Sequence, residues 1–206
     1  MMGCVSSSVK SVARKRSSSV PHHEFLSDSE RLSIRDTWRE ISRDLAGNGS
    51  RVFLRIFELC PSVRSLFNFR YLSDEDLLND SLFRTHASRF MQAVDLVLLN
   101  IDALDIIITQ NLIRLGRHHA RIDNFRLEYL DVFQTAMMDV WRMVLGPTRF
   151  NRKCRRAWRK IFRLITSKVL EGFRLQRLNF SNMTESIRTK ISTLKSDDEG
   201  IQASYL

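Results

Sequence analysis

Residues 112–120, Leu112-Ile113-Arg114-Leu115-Gly116-Arg117-His118-His119-Ala120, hold two adjacent histidines that helical phase separates. His119 follows Leu115 by four residues and Leu112 by seven, on the apolar stripe of a helix, so its imidazole is predicted to face the core. His118 falls in line with Arg114 and Asn111 and is predicted to face water. Upstream, His86 shares a helical face with Leu82, Phe83, Phe90 and Ala93 and also turns inward. The two other histidines, His22 and His23, belong to a polar N-terminal stretch.

Outward from these positions the chain reads as helix throughout. Gly (7) and Pro (3) are scarce among 206 residues, apolar side chains recur at three- and four-residue spacing, and alternating strand patterns are absent, which makes the class all-α. Ser27-Asp28-Ser29-Glu30 forms a capping box, followed by a stripe of Leu32, Ile34, Trp38, Ile41 and Leu45; Gly47-Asn48-Gly49 is expected to end that helix. A second helix carries Val52, Phe53, Ile56 and Phe57 and stops before Pro61. Ser73 is expected to cap one long helix with Leu78, Leu82, Phe83, His86, Phe90, Ala93, Val97 and Ile101 on its inner face. Helices over 106–122 and 125–145 follow, the latter ended by Gly146-Pro147, and then a basic helix with Trp158, Ile161, Phe162, Ile165, Val169 and Phe173 inward. The expected organisation is a Ser-rich basic tail (1–23), one helical domain (24–178) and a polar C-terminal extension (179–206).

The formal charge of +10 is concentrated: Arg149 to Arg177 holds eleven Lys and Arg against Glu171 alone. Such a face attracts anionic lipid or nucleic acid, and no recognition motif supports the second, so an anionic membrane surface is the expected partner. No apolar run is long enough to span a bilayer, because Asp95, Asn100, Asp102 and Asp105 interrupt the richest stretch. Three cysteines, Cys4, Cys60 and Cys154, lack metal-ligand spacing and are expected as free thiols in a reducing compartment. Met2-Gly3-Cys4-Val5-Ser6-Ser7 fits an acylation signal, with Gly3 for myristate and Cys4 for palmitate, provided translation starts at Met2 or Met1-Met2 is trimmed. One myristoyl chain binds membranes marginally; a second chain or the basic residues Lys10, Arg14, Lys15 and Arg16 would complete the anchor. The expected location is the cytosolic face of a membrane, the plasma membrane favoured. Ser204-Tyr205-Leu206 resembles a PDZ ligand.

Two buried imidazoles on separate helices, without carboxylate or thiolate partners at ligand spacing, do not make a zinc site. They suit an iron porphyrin, which takes one neutral imidazole as proximal ligand and tolerates a second on its other face. Here the sequence resembles the globin family, from about Phe25 to Phe173. Trp38 and the turn after Leu45, Pro61 with Phe67 six residues on, His86-Ala87-Ser88-Arg89-Phe90-Met91, the Leu115–Ala120 motif, Phe125, Tyr129 and Leu130, and Pro147-Thr148-Arg149-Phe150 resemble successive landmarks of that family, the distal stretch in the manner of its cytoglobin-like members. The resemblance implies a fold of six to eight helices around one haem b, with His119 as proximal iron ligand and His86 distal, a candidate sixth ligand. Phe53, Phe67, Phe90, Leu115, Phe125 and Leu130 would line the cofactor. The sequence departs from the family pattern in two places: the short segment between Phe67 and His86 points to a reduced fourth helix, and bulky Phe53 and Phe90 crowd the distal side.

The expected function is binding of O₂ or another diatomic gas with a redox or signalling role at a membrane, by a binding protein rather than an enzyme, together with an unidentified electron donor or acceptor. The alternatives are a haem enzyme (nitric oxide dioxygenase or nitrite reductase) and a simple oxygen store. The oligomeric state stays open at this point.

Overall fold

The computed structural model describes residues 25–102 and 107–203, with side chains as far as Lys190. The expected tail, with Gly3 and Cys4, and the terminal Ser204-Tyr205-Leu206 lie outside the described residues. Among the described residues there are helices and no strands: α1 (Asp28–Ile41), a 3₁₀ turn (Ser42–Asp44), α2 (Leu45–Leu59), α3 (Pro61–Arg64), α4 (Asp74–Asn79), α5 (Ser81–Leu99), α6 (Ile107–His119), α7 (Tyr129–Arg149) and α8 (Arg152–Ala203).

The capping box is formed as read. Glu30 N–H donates to Ser27 Oγ and Ser27 N–H donates to Glu30 Oε2 at 2.9 Å, which satisfies amides that the first helical turn leaves orphaned. The same Glu30 oxygen accepts from Lys160 Nζ at 2.7 Å, so one buried carboxylate both starts α1 and ties it to α8. Burial pushes the Glu30 carboxyl up, but Lys160 and the Ser27 amide outweigh it and hold its pKa below the usual range.

Three helix boundaries differ from expectation. Gly47-Asn48-Gly49 does not end α1; that helix stops at Ile41, and Asp44 caps α2 by accepting from Gly47 N–H at 2.9 Å. Gly49 lies inside α2 because α5 crosses there: a Cβ would fall 2.7 Å from the Ala87 carbonyl oxygen. The long helix expected from Ser73 is two. Asp80 adopts an extended conformation (ψ 129°) and its carboxylate accepts from Phe83 N–H at 2.7 Å, so it caps α5 while ending the six-residue α4, which stands as the reduced fourth helix. The break resets the phase, burying Leu77 and leaving Leu78 (47%) and Leu82 (60%) exposed, contrary to the continuous stripe. Leu32 (60%) is likewise outside the core. Helix α7 starts at Tyr129 rather than Phe125, and Gly146, at φ 69°, breaks it ahead of Pro147 as expected. Helix α8 extends through the polar C-terminal stretch as far as Ala203.

The core is one contiguous cluster whose densest part lies between α1, α7 and α8. Trp38, Trp141 and Trp158 have ring centroids 5.7–6.2 Å apart, with Phe162 5.4 Å from Trp158. Trp158 Nε1–H donates to Thr37 Oγ1 at 3.0 Å and Trp38 Nε1–H to Asp95 at 2.7 Å, so two of these rings are buried with their donors satisfied, while Trp141 Nε1–H is buried without a partner among the described residues. Cys60 and Cys154 are free thiols, the latter buried.

The closest helix approach joins α6 to α8. A Cβ on Gly116 would lie 1.9 Å from the Val169 carbonyl oxygen, and one on Gly172 would lie 1.9 Å from that of Ile113. Both obstacles are backbone, so no rotamer change relieves them. Gly172→Ala is therefore expected to force the helices apart and cost about 2–3 kcal/mol, read as a lower urea midpoint. Glu30→Ala, which removes the reciprocal cap and strands Lys160, is expected to cost about 1–3 kcal/mol at neutral pH. The native carboxylate's contribution is present above the ordinary carboxylate pKa and lost as pH falls through its lowered value, so the gap between native and variant closes in acid.

Candidate functional site

Helix α6 brings His119 to its C-terminal turn with the orientation that phase predicts: His119 is half-buried and His118 exposed. One turn earlier, the Gly116–Gly172 crossing presses α6 onto α8. His119 Nδ1 lies 2.9 Å from the Leu115 carbonyl oxygen, which can only accept. Nδ1 therefore carries the proton and Nε2 keeps its lone pair, the tautomer a metal ligand needs. Phe125 stands 5.0 Å from the His119 ring and is itself flanked by Tyr129 (5.7 Å) and Phe173 (5.8 Å). Burial lowers the His119 pKa, the Leu115 hydrogen bond resists this, and the neighbouring His118 adds to the lowering.

On α5, the Asp80 cap places Phe83 in the core and His86 one turn beyond it. The His86 ring meets Phe53 of α2 at 4.8 Å and Phe67, from the turn after α3, at 5.0 Å, both edge-on. Phe67 is in turn stacked on Phe69, with centroids 4.8 Å apart and planes 14° from parallel. Phe53 also meets Phe90 at 5.6 Å, so the expected crowding on this side is present. His86 is solvent-accessible by area and flanked by these rings. Desolvation, then the nearby charge of His119 and that of Arg89, push its pKa down to about 4. Both imidazoles are consequently neutral at neutral pH.

The predicted positions are thus brought together as two groups. Phe53, Phe67 and Phe90 gather around or near His86, while Leu115 and Phe125 hold His119. Leu130 is partly buried and lines a separate surface cleft with Thr166, Leu170 and Arg174. Phe133, which sequence reading passed over, packs edge-on against Phe90 at 4.9 Å. Its signal was available, four residues after Tyr129 on the same stripe. Phe69 and Phe173 were likewise not named for the site.

The donor set suits a metal that arrives with its own ligands. Among the described residues no group of three or more His, Cys, Asp and Glu is placed to hold a bare ion. Two neutral imidazoles beside aromatic rings are the donor set that would suit an iron porphyrin, which brings its own nitrogen ligands and would supply gas-binding and redox chemistry.

Comparison with known proteins agrees with this arrangement. Residues 50–169 match the family model Globin. Neuroglobin of Dissostichus mawsoni is 24% identical over 152 residues, which cover 73% of this chain and 94% of that protein, and neuroglobin of Danio rerio gives the same figures. Among solved structures, the hexacoordinated haem protein of an anhydrobiotic tardigrade, crystallised at pH 4, superposes with a TM-score of 0.67 at 25% identity, covering 72% of this chain and 96% of that one. With its helical order, its paired inward histidines and a family match spanning more than half its length, the chain belongs to the globin family.

Proposed function

We propose that this globin binds one haem b, with His119 as proximal ligand and His86 as the imidazole on the opposite face, and that it serves diatomic-gas binding and one-electron exchange at a membrane rather than bulk oxygen storage. The observation that carries the reading is the pair of neutral imidazoles. When bound, an iron porphyrin supplies reversible gas binding and single-electron chemistry. The chain's residues then have distinct tasks. Leu115 holds the His119 tautomer, Phe125 limits the tilt of that ring, and Phe67 and Phe53 confine the His86 ring edge-on.

A desolvated His86 resists protonation above about pH 4 and so keeps a lone pair available throughout the physiological range. That favours a second axial imidazole, in competition with gas, and the similarity to a hexacoordinated haem protein supports it. The described helices gather around one core, so electrons would come from an unidentified external donor. Attachment to the cytosolic face of a membrane rests on the Gly3-Cys4 signal and the basic residues that follow it.

Absorption spectra of the oxidised and reduced full chain, supplied with haem, test the reading. A low-spin spectrum is expected, converted to high-spin by His86→Leu. His119→Gly is expected to lose most haem binding and to regain it with added imidazole; a Soret band indifferent to His119→Gly would overturn the assignment.

The haem-free chain carries a second signature. Because the folded His86 titrates near 4 and a free histidine near 6.5, the unfolded chain binds the extra proton between these values. Stability is therefore full above about pH 6.5 and declines as pH falls towards 4. His86→Leu is expected to flatten that decline in urea midpoints, whatever its effect on absolute stability.

A further inference from the structure

Between Arg152 and Leu170, α8 carries eight cationic side chains and no acidic one. Two are engaged internally, Lys160 with Glu30 and Lys168 with Glu171. Arg152, Arg156, Arg159 and Arg163 are not: each is exposed, and none has an acidic partner among the described residues. Their spacing of four, three and four residues sets them in one stripe about 16 Å long.

The outer face of any last helix is polar, so polarity alone assigns this stripe no task. Its single sign does. Solvated faces ordinarily mix charges, as α1 does with Asp28–Arg31, Asp36–Arg39 and Glu40–Arg43. Four unpaired guanidinium groups in line repel one another and gain nothing for the fold. Lys153 and Arg155 add further charge beside them.

Two independent features converge on the stripe's N-terminal end. Arg152, Lys153 and Arg156 line an open cleft of about 560 Å³ with Ser27, Ser29 and Glu30. The Glu30 carboxylate is already taken by Lys160 and the Ser27 amide, so the cleft's remaining character is cationic and hydroxylic. The described chain begins at Phe25, two residues before Ser27, so the N-terminal segment joins the body beside this cleft. The 20 residues between Cys4 and Phe25 span at most about 70 Å, which ties anything attached at Gly3 or Cys4 to the neighbourhood of the stripe.

We propose that the arginine stripe of α8, with the cleft at the start of α1, is a docking surface for the phosphate-bearing headgroups of an anionic membrane. Guanidinium groups pair with phosphate oxygens through two parallel N–H···O bonds, and a row of them meets a flat array of headgroups without needing a pocket for each. A single acyl chain holds weakly, and a basic surface beside its point of attachment supplies the second hold. The proposal rests on the membrane reading above and gives it an orientation: α8 lies against the surface.

The test uses the full chain produced without acylation, so that only the protein surface acts. Sedimentation with phosphatidylcholine vesicles is compared with vesicles containing about one-third phosphatidylserine. Preferential binding to the anionic vesicles is expected. R152Q/R156Q/R159Q/R163Q should weaken it at least tenfold. Changing the same number of exposed arginines elsewhere, R70Q/R84Q/R121Q/R142Q, should alter it less than about threefold; unchanged helical content and melting establish that both variants fold. Equal weakening by both sets, no preference for anionic vesicles, displacement by millimolar inorganic phosphate, or release by a DNA duplex at equal phosphate concentration would each overturn the proposal. In acylated protein, a stripe variant retained on membranes as well as the native chain removes the docking surface while leaving the acyl tether intact.

Discussion

The approach of α6 to α8 at Gly116 and Gly172 governs the site. Two glycines, each facing the other helix's backbone, let the helices come closer than any side chain would allow. His119 follows Gly116 by three residues, too near for its position to vary independently of the crossing. Its ring is fixed at one end by the Leu115 carbonyl and at the side by Phe125, which is backed by Tyr129 and by Phe173, the residue after Gly172. The crossing thus sets the depth and the aromatic wall of His119, and the Leu115 carbonyl sets its tautomer. In a densely packed interior such a constraint is stiff, because moving either helix breaks many small contacts at once.

The aromatic cluster of Trp38, Trp141 and Trp158 gives the fold a core built apart from the two histidines. Fully burying side chains of this size contributes several kcal/mol each, and two of the three indole donors are satisfied within the protein. His86 stands in different surroundings: beside Phe53 and Phe67 its pKa is pushed down to about 4, chiefly by desolvation, although the side chain keeps exposed area.

What the sequence disclosed follows the range of the forces involved. The opposite facing of His118 and His119 was legible because it needs only helical periodicity and neighbouring leucines. The capping box was legible because all its partners lie within three residues. Asp80 was opaque: the residue reads equally well as a polar position on a continuous helix and as an N-cap, and only the placement of Phe83 in the core selects the second. The glycines misled for a related reason. Gly47 and Gly49 resemble a helix terminator locally, whereas Gly49 answers to Ala87, far away in sequence. Gly172 offered no local hint of its partner. Phe133 was within reach of periodicity, but its importance comes from Phe90 on another helix.

Helix α8 joins the two halves of the functional reading. Its inner face, from Trp158 through Ile161, Phe162, Ile165 and Val169 to Phe173, is apolar and carries the glycine that seats α6. Its outer face over the same turns carries the unpaired arginines. Because both faces belong to one uninterrupted helix, the direction in which the arginines point is coupled to the position of His119. A partner that captures the arginines would therefore orient His119 and its aromatic surroundings as well, without any conformational change. For a protein whose proposed work is exchange with small ligands and electron donors near a surface, that coupling matters more than affinity: it decides how the proposed haem site is turned relative to the membrane.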